Sequence, residues 1–297
     1  MSGFCVFSGF MRISGLLIIF LKGMLMGFAD ILPGISGGTI AFVTGIYERL
    51  IFGIKNIDFR FVRFALRKEW KKAKENLLSI DFEFFIPLML GITCSFLLFS
   101  RILSVTLKNN PIIAYAFFFG LIAGSAKVIY RAISSHSVSS ILSFFAGFII
   151  AFFFVSLNPL QAEHSLAVIF FASMVASSAM LLPGISGAFM LLFLGQYQFM
   201  LNALAELNLV VILISSIGGF IGFITFARVL AYLLKRRRNE TLAVLAGLML
   251  GSLRLPFERI LEASAKSGIN LFLILPPAIF GFAIVMVLDM YANSKKK

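Results

Sequence analysis

Leu32–Phe42 reads LPGISGGTIAF and Leu182–Leu192 reads LPGISGAFMLL, in a chain that is otherwise strongly apolar. A proline, a serine and several glycines stand where a membrane helix would simply continue. Proline lacks an N–H and clashes with the preceding turn, and glycine relaxes the limits on the backbone, so a helix is predicted to end near Leu32 and again near Leu182. The helix-breaking residues are Pro33, Gly34, Pro183 and Gly184. A new helix starts just beyond, with Ser36 and Ser186 as N-caps and the free N–H groups of Gly37–Thr39 and Gly187–Phe189 pointing out of it. Its predicted length is about 12 residues, about 18 Å, or half a bilayer.

The rest of the chain sets the environment of these breaks. Of 297 residues, 60% are hydrophobic and 13% charged, with a mean hydropathy of +1.01, which lies outside the range of soluble globular domains. Apolar segments of about 16 to 25 residues recur along nearly the whole length, and strand-like alternation is absent. An all-α polytopic membrane protein is predicted, not a barrel. Residues 11–29 resemble a signal peptide superficially, but Lys22 interrupts the apolar run and no small-x-small site precedes Asp30, so the segment is kept as part of the fold. Cys5 and Cys94 are too few and too apolar in setting for a disulfide framework or a metal site. His136 and His164 lie in polar loops without metal-ligand spacing, where a solvated histidine is the default. No metal or cofactor is expected.

Sliding the chain against itself by 150 residues aligns Leu32–Leu50 with Leu182–Met200, with eight identities in 19 positions, Gly45/Gly195 and Tyr47/Tyr197 among them. Composition alone predicts about one or two. Further on the offset becomes 127: LGITCSFLLFSRIL (Leu90–Leu103) matches IGGFIGFITFARVL (Ile217–Leu230), and GLIAGSAK (Gly120–Lys127) matches GLMLGSLR (Gly247–Arg254). The change of offset is a 23-residue insertion in the first half. There Val62, Leu66, Trp70, Ala73 and Leu77 fall near helical spacing among many Arg and Lys, which predicts an amphipathic helix on anionic lipid. The chain is therefore one membrane domain over 1–297, with repeat 1 at 13–156, carrying the basic insertion 51–83, and repeat 2 at 166–290.

Three apolar segments follow each break: 84–104, 112–130 and 139–156, then 208–234, 240–257 and 269–290. An odd number of crossings per repeat inverts one half relative to the other. The prediction is about six full spans plus two re-entrant hairpins, up to ten apolar segments in all, whether the LPGISG helices re-enter or cross. Basic residues test the topology independently. With the N-terminus inside, the cytoplasmic parts collect Arg12, nine Lys/Arg from Arg49 to Lys74, Arg131, Lys235–Arg238 and Lys295–Lys297, which is 18 of the 26. The outer loops receive Lys108, Arg259 and Lys266. This is the positive-inside pattern, and it puts both termini in the cytoplasm.

Exposed backbone polar groups at mid-membrane survive only where they line a protein cavity, and helix N-termini favour an anion. Inverted repeats would bring two such ends together, making an anion seat from Ser36, Gly37, Gly38, Thr39, Ser186 and Gly187. A Pro/Gly kink serving only close packing is the bland alternative. The residual cations also obey the repeat, Arg101 matching Arg228 and Lys127 matching Arg254. Topology places Arg101 and Arg254 near outer helix ends and Lys127 and Arg228 near inner ends, which reads as one head-group capture station per leaflet, or as ordinary snorkelling. Ser125 and Ser252 add hydroxyls or serve packing. Asp30, replaced by Met180 in the second copy, is a candidate for proton coupling, and Glu48, matched by Gln198, a weaker one. Tyr47 and Tyr197 read as interfacial anchors.

The pair LPGISGGTIAFVTGIY and LPGISGAFMLLFLGQY, with a basic insertion after the first, resembles a prokaryotic membrane family whose members are regarded as polyprenyl-phosphate transporters. The resemblance covers essentially the whole chain. It implies return of undecaprenyl phosphate, or an archaeal equivalent, from the outer to the inner leaflet of the cytoplasmic membrane for reuse in envelope synthesis, including the recycling of the peptidoglycan precursor carrier. The physics agrees with the class: the tail stays in hydrocarbon, and the barrier is the phosphate, whose bare transfer costs tens of kcal/mol by Born estimates. A small inorganic anion transporter or channel would share the seat without a lateral opening. Membrane lipid-diphosphate phosphatases carry a similar PG-x-S element, but there arginine follows the serine, whereas Gly37 and Gly187 follow it here and no Glu-x-x-x-Glu pair lies in an apolar segment. The expected partners are a polyprenyl phosphate and anionic lipids, and the +13 charge serves lipid phosphates better than nucleic acid.

Overall fold

The computed structural model describes residues 2–31, 36–57, 64, 66–157, 160, 162–267 and 274–294. Among them every regular element is a helix. In chain order these are α1 (Ser2–Asp30), α2 (Gly37–Val43), α3 (Tyr47–Lys55), α4 (Trp70–Leu78), α5 (Phe82–Asn109), α6 (Pro111–Arg131) and α7 (Val138–Phe154). There follow α8 (Leu166–Met180), α9 (Gly187–Phe193), α10 (Tyr197–Ala205), α11 (Leu209–Arg236), α12 (Arg238–Ser252), α13 (Arg254–Ser267) and α14 (Leu275–Ser294). Among the described residues, four stretches are long and apolar enough to cross a membrane, Phe82–Leu103, Pro111–Arg131, Leu209–Arg236 and Arg238–Ala265, or five if the bent pair α9–α10 counts as one span. Helices α7, α8 and the apolar part of α14 are shorter apolar helices. The protein is a multi-pass, all-helical membrane protein.

Four helix pairs form the body: α1 on α5, α8 on α11, α6 on α14 and α7 on α12. The last two pairs each join a helix before residue 160 to one after it, so the two halves of the chain interlock. Close approach is what glycine allows here. A Cβ on Gly91 of α5 would collide with the Phe20 carbonyl of α1, and one on Gly218 of α11 would collide with the Phe170 carbonyl of α8. Gly120 stands in the same way against Ala278, and Gly247 against Phe144. Backbone-to-backbone contact of this kind is how helices gain dispersion energy where lipid offers no hydrophobic contrast.

The short helices after the breaks differ from expectation. Each is 7 residues long, about 10 Å, instead of about 12 residues. Glycine is the reason. Gly45 (φ +74°) and Gly195 (φ +70°) occupy left-handed positions that end α2 and α9. The N–H of Gly45 donates to the Phe42 carbonyl and that of Ile46 to Ala41, and Gly195 and Gln196 repeat this with Leu192 and Leu191. Both are Schellman closures. The chain then turns into a 9-residue helix, with a bend of 108° between α9 and α10.

Two further segments depart from the sequence reading. The amphipathic helix of the insertion is found over Trp70–Leu78, but Val62 lies outside the described residues, and the left-handed Lys68 (φ +60°) prevents a helix continuing from Leu66. Beyond Ser252 an additional helix, α13, follows. Pro256 has no N–H for the Ser252 carbonyl, so the helix resets at Leu253.

Candidate functional site

The two breaks lie against each other. Helix α8 ends at Met180, and its last carbonyls need donors that a broken helix cannot supply. The first half provides them. The Ser36 hydroxyl donates to the Met180 carbonyl (3.2 Å), and the Tyr47 hydroxyl, buried in the core, donates to the Leu181 carbonyl (2.8 Å). In return the Gly184 N–H donates to Thr39 Oγ1 (3.1 Å). Pro183 sits in the turn between Leu181 and Ile185, with Gly184 left-handed at φ +87° against Met249, while Pro33 and Gly34 lie outside the described residues. Tyr47 is therefore not an interfacial anchor. Its hydroxyl is the only polar atom of a side chain that the packing has pulled into the interior, and it bridges the two breaks.

Helix α2 is held at both ends by side chains of α1. The Gly37 N–H donates to the Asp30 carboxylate (2.5 Å) and the Gly38 N–H to Ser36 Oγ (3.1 Å). At the other end Lys22 Nζ donates to the Thr44 carbonyl (2.6 Å). A carboxylate at the N-terminal end and an ammonium at the C-terminal end both complement the peptide dipoles. Asp30 thus lies beside the first break, as its sequence position predicts, and it occupies the Gly37 N–H that the sequence reading assigns to an anion. Lys22 is a residue of this site that the sequence reading uses only as an argument against a signal peptide. The signal was available, since a charge inside an apolar helix eight residues from Asp30 is costly unless it has a task.

The second break opens on a cavity of about 320 Å³. Its walls are Ile150, Ala151 and Phe154 of α7, Val175, Ser178 and Ala179 of α8, the break residues Leu182, Gly184, Ile185 and Ser186, Phe189 and Met190 of α9, Phe226 of α11, and Val155, Ser252 and Leu255. Among the described residues no charged side chain lines it. Ile150 and Val175 are 60% and 40% exposed, so the rim between α7 and α8 faces outward with apolar side chains. Three hydroxyls, of Ser178, Ser186 and Ser252, belong to the lining. Those of Ser178 and Ser252 are turned back onto the Met174 and Met249 carbonyls of their own helices (2.8 Å each), whereas Ser186, 6% exposed, makes no side-chain capping bond. Ser125, the counterpart of Ser252, is buried and bonds the Leu121 carbonyl.

None of the four cations lines this cavity, although Arg254 is next in sequence to the lining residue Leu255. Arg101 is exposed on α5, and Lys127 lies 5.3 Å from the Phe282 ring. Arg228 donates to the Ile57 carbonyl at 3.4 Å. Arg254 is the most engaged: it pairs with Glu258 (2.6 Å), donates to the Phe152 carbonyl (3.1 Å) and to the Ser156 hydroxyl, and lies 4.5 Å over the Phe152 ring. It ties α13 to the C-terminal end of α7, where a cation complements the helix dipole. Glu48 is paired with Arg238 at 2.9 Å, on an exposed surface. The histidines are more engaged than solvated residues would be. His164 stacks on Phe199 (centroids 4.3 Å) with Nδ1 3.0 Å from Oε1 of the buried Gln196, and His136 lies 5.0 Å from the Tyr130 ring.

The chain matches, over residues 26–270, the family model described as undecaprenyl phosphate translocase-like. It is similar to a polyprenyl-phosphate transporter of Vibrio cholerae, 40% identical over 236 residues, covering 79% of this chain and 75% of the relative. A polyprenyl-phosphate transporter of Staphylococcus aureus is 32% identical over 252 residues, covering 78% of this chain and 83% of the relative. No solved structure matches. With the family model spanning most of its length and relatives aligned over three quarters or more of theirs, this chain belongs to the undecaprenyl phosphate translocase-like family.

Proposed function

We propose that the protein carries a polyprenyl phosphate across a prokaryotic cytoplasmic membrane, from the outer to the inner leaflet, by alternating which of its two breaks is open. In this reading 13–156 and 166–290 are inverted repeats, both termini are cytoplasmic, and α9 and α2 belong to re-entrant units facing opposite leaflets. The observation that carries it is the inequality of two otherwise matched sites. Helices α6 and α14 close on α2, while their counterparts α12 and α7 stand off α9 and leave the cavity between them, with Phe154 reaching across to Phe189 (5.8 Å) and Phe193 (4.7 Å). One open and one closed half is what a rocking repeat presents at either end of its cycle.

The energetics favour a lipid over a free anion. An apolar, uncharged cavity gives a bare phosphate nothing in exchange for its hydration, whose loss costs tens of kcal/mol on Born estimates. A lipid phosphate needs only its head to pass, kept partly hydrated beside the break residues Ser36–Thr39, Ser186 and Gly187, with helix ends contributing at most ~2 kcal/mol each. Arg101 and Arg254 on one side and Lys127 and Arg228 on the other gather head groups at the leaflet surfaces, and Asp30 or Glu48 carries any coupling proton.

The test is leaflet-resolved movement of a polyprenyl phosphate in proteoliposomes, run beside flux of labelled inorganic phosphate and release of soluble phosphate. Lipid movement alone is expected. Flux of inorganic phosphate without lipid movement would replace the reading by an anion transporter, and phosphate release would replace it by a phosphatase. Within the same assay, Arg101→Ala with Arg254→Ala is expected to slow loading from the outer leaflet, and unchanged rates would remove the outer capture station.

A further inference from the structure

We infer that the cavity at the second break is the loading site for the head-proximal isoprene units of the lipid, with the Ser186 hydroxyl donating to a phosphate oxygen. The inference rests on the transport reading above and specifies where in the molecule the substrate sits. Three independent features lead to it. The cavity's lining has no charge and is dominated by aliphatic side chains and the rings of Phe154, Phe189 and Phe226, which suits hydrocarbon and not an ion. Its rim, at Ile150 and Val175, is exposed and apolar, so a chain of any length leaves between α7 and α8 without crossing polar surface. Finally, Ser186 is 94% removed from solvent and its hydroxyl has no partner among the described residues, although the cavity lies open in front of it. A ligand oxygen held in the cavity would give that hydroxyl an acceptor.

Among the described residues, the matched hydroxyls of the first half are already engaged. Ser36, the counterpart of Ser186, already accepts from Gly38 and donates to Met180, and Thr39, in the place of Phe189, accepts from Gly184. Loading therefore takes place at one break, from the leaflet that α7 and α8 open onto.

The experiment measures saturable binding of radiolabelled geranylgeranyl phosphate to the full-length protein in phosphatidylcholine nanodiscs. Ser186→Ala is expected to weaken binding about tenfold, as for a hydrogen bond to a charged group. Val175→Trp, which blocks the rim, is expected to weaken it at least as much, and Ser95→Ala, a buried hydroxyl between α1 and α5, leaves it within about twofold. Since a bulky rim residue can disturb folding, Val175→Cys in a background lacking Cys5 and Cys94 gives a second readout. Geranylgeranyl phosphate is expected to slow alkylation of that thiol several-fold, and inorganic phosphate to leave it unchanged. Normal binding by both Ser186→Ala and Val175→Trp, with no protection at position 175, would move the site elsewhere while transport by the wild type stands. Equal displacement by inorganic phosphate would make the occupant a bare anion and overturn the isoprene assignment. A wild-type protein that neither binds nor moves the prenyl phosphate would bring down the transport reading itself.

Discussion

Helices α2 and α9 share a length, a serine at the N-cap position, a Schellman closure and a glycine turn, yet they live in different surroundings. Six of the seven residues of α2 are buried, against only Gly187 in α9. Helix α2 is enclosed by α1, α3, α6 and α14, whereas α9 has substantial contact only with α8 and α10. One residue pair accounts for much of the difference. Asp30 reaches the Gly37 N–H and locks α2 to α1, while its counterpart Met180 gives α9 only an apolar neighbour at Gly187. Local conformation is thus dictated by the repeated motif, and the state of each half by the residues that the motif does not share.

The largest effect is expected where this comparison is sharpest, in tolerance to bulk. Ala41 is fully buried in α2, and the matched position in α9 is Leu191, only partly buried. Ala41→Phe forces four packed helices apart, and overpacking of this kind costs about 3 kcal/mol or more at a site that cannot relax. Leu191→Phe is expected to cost less than about 0.5 kcal/mol, because its side chain has room. Folded yield and unfolding temperature in a fixed detergent separate the two. Equal sensitivity would mean that the cavity beside α9 is closed in solution.

The next effect tests the lock itself. Asp30→Met makes the first break chemically like the second, removing a charge-assisted hydrogen bond from a buried N–H, at a cost of about 2 kcal/mol. The unfolding temperature should fall by several degrees. If α2 is held closed by this contact, the same variant also raises the accessibility of a cysteine placed at Ile40, now 5% exposed, to a membrane-permeant thiol reagent. A fall in stability with no gain in accessibility would make Asp30 a structural cap only.

Much of this architecture was legible in the sequence. The six long apolar segments lie close to α5, α6, α7, α11, α12 and α14, because about twenty apolar residues bounded by charge admit few other readings. The breaks were legible because Pro and Gly act locally. Gly45 and Gly195 show in the sequence as repeat identities, but nothing local marks them as left-handed closures, so the sequence reading makes the short helices too long. The cross-bonds Ser36–Met180 and Thr39–Gly184 join residues some 145 apart, and only the interlocked packing of α6 with α14 and α7 with α12 brings them together. The engagement of Arg254 depends on α13, a helix whose modest apolar content gave no span-like signal. The Asp30/Met180 difference was visible, but which half it closes is a property of packing.

The smallest expected effect concerns the bridge between the breaks. Tyr47 and Tyr197 are identical in sequence, but the hydroxyl of the first donates to the Leu181 carbonyl from a buried position, and the ring of the second is only partly buried. Tyr47→Phe deletes one interhelical bond and leaves a buried carbonyl without its donor. In membrane proteins such bonds average about 0.6 kcal/mol and reach about 1.7, because the disrupted state finds other partners. A cost near 1 kcal/mol is therefore expected for Tyr47→Phe and close to none for Tyr197→Phe, read as a difference in unfolding free energy under one detergent condition. The pair also discriminates between two roles for the bridge. If Leu181 is held only for stability, transport per folded molecule is unchanged in Tyr47→Phe. If the two breaks must move together for the cycle to complete, the turnover falls further than the stability does, and restoring the lost stability by lower temperature does not bring it back.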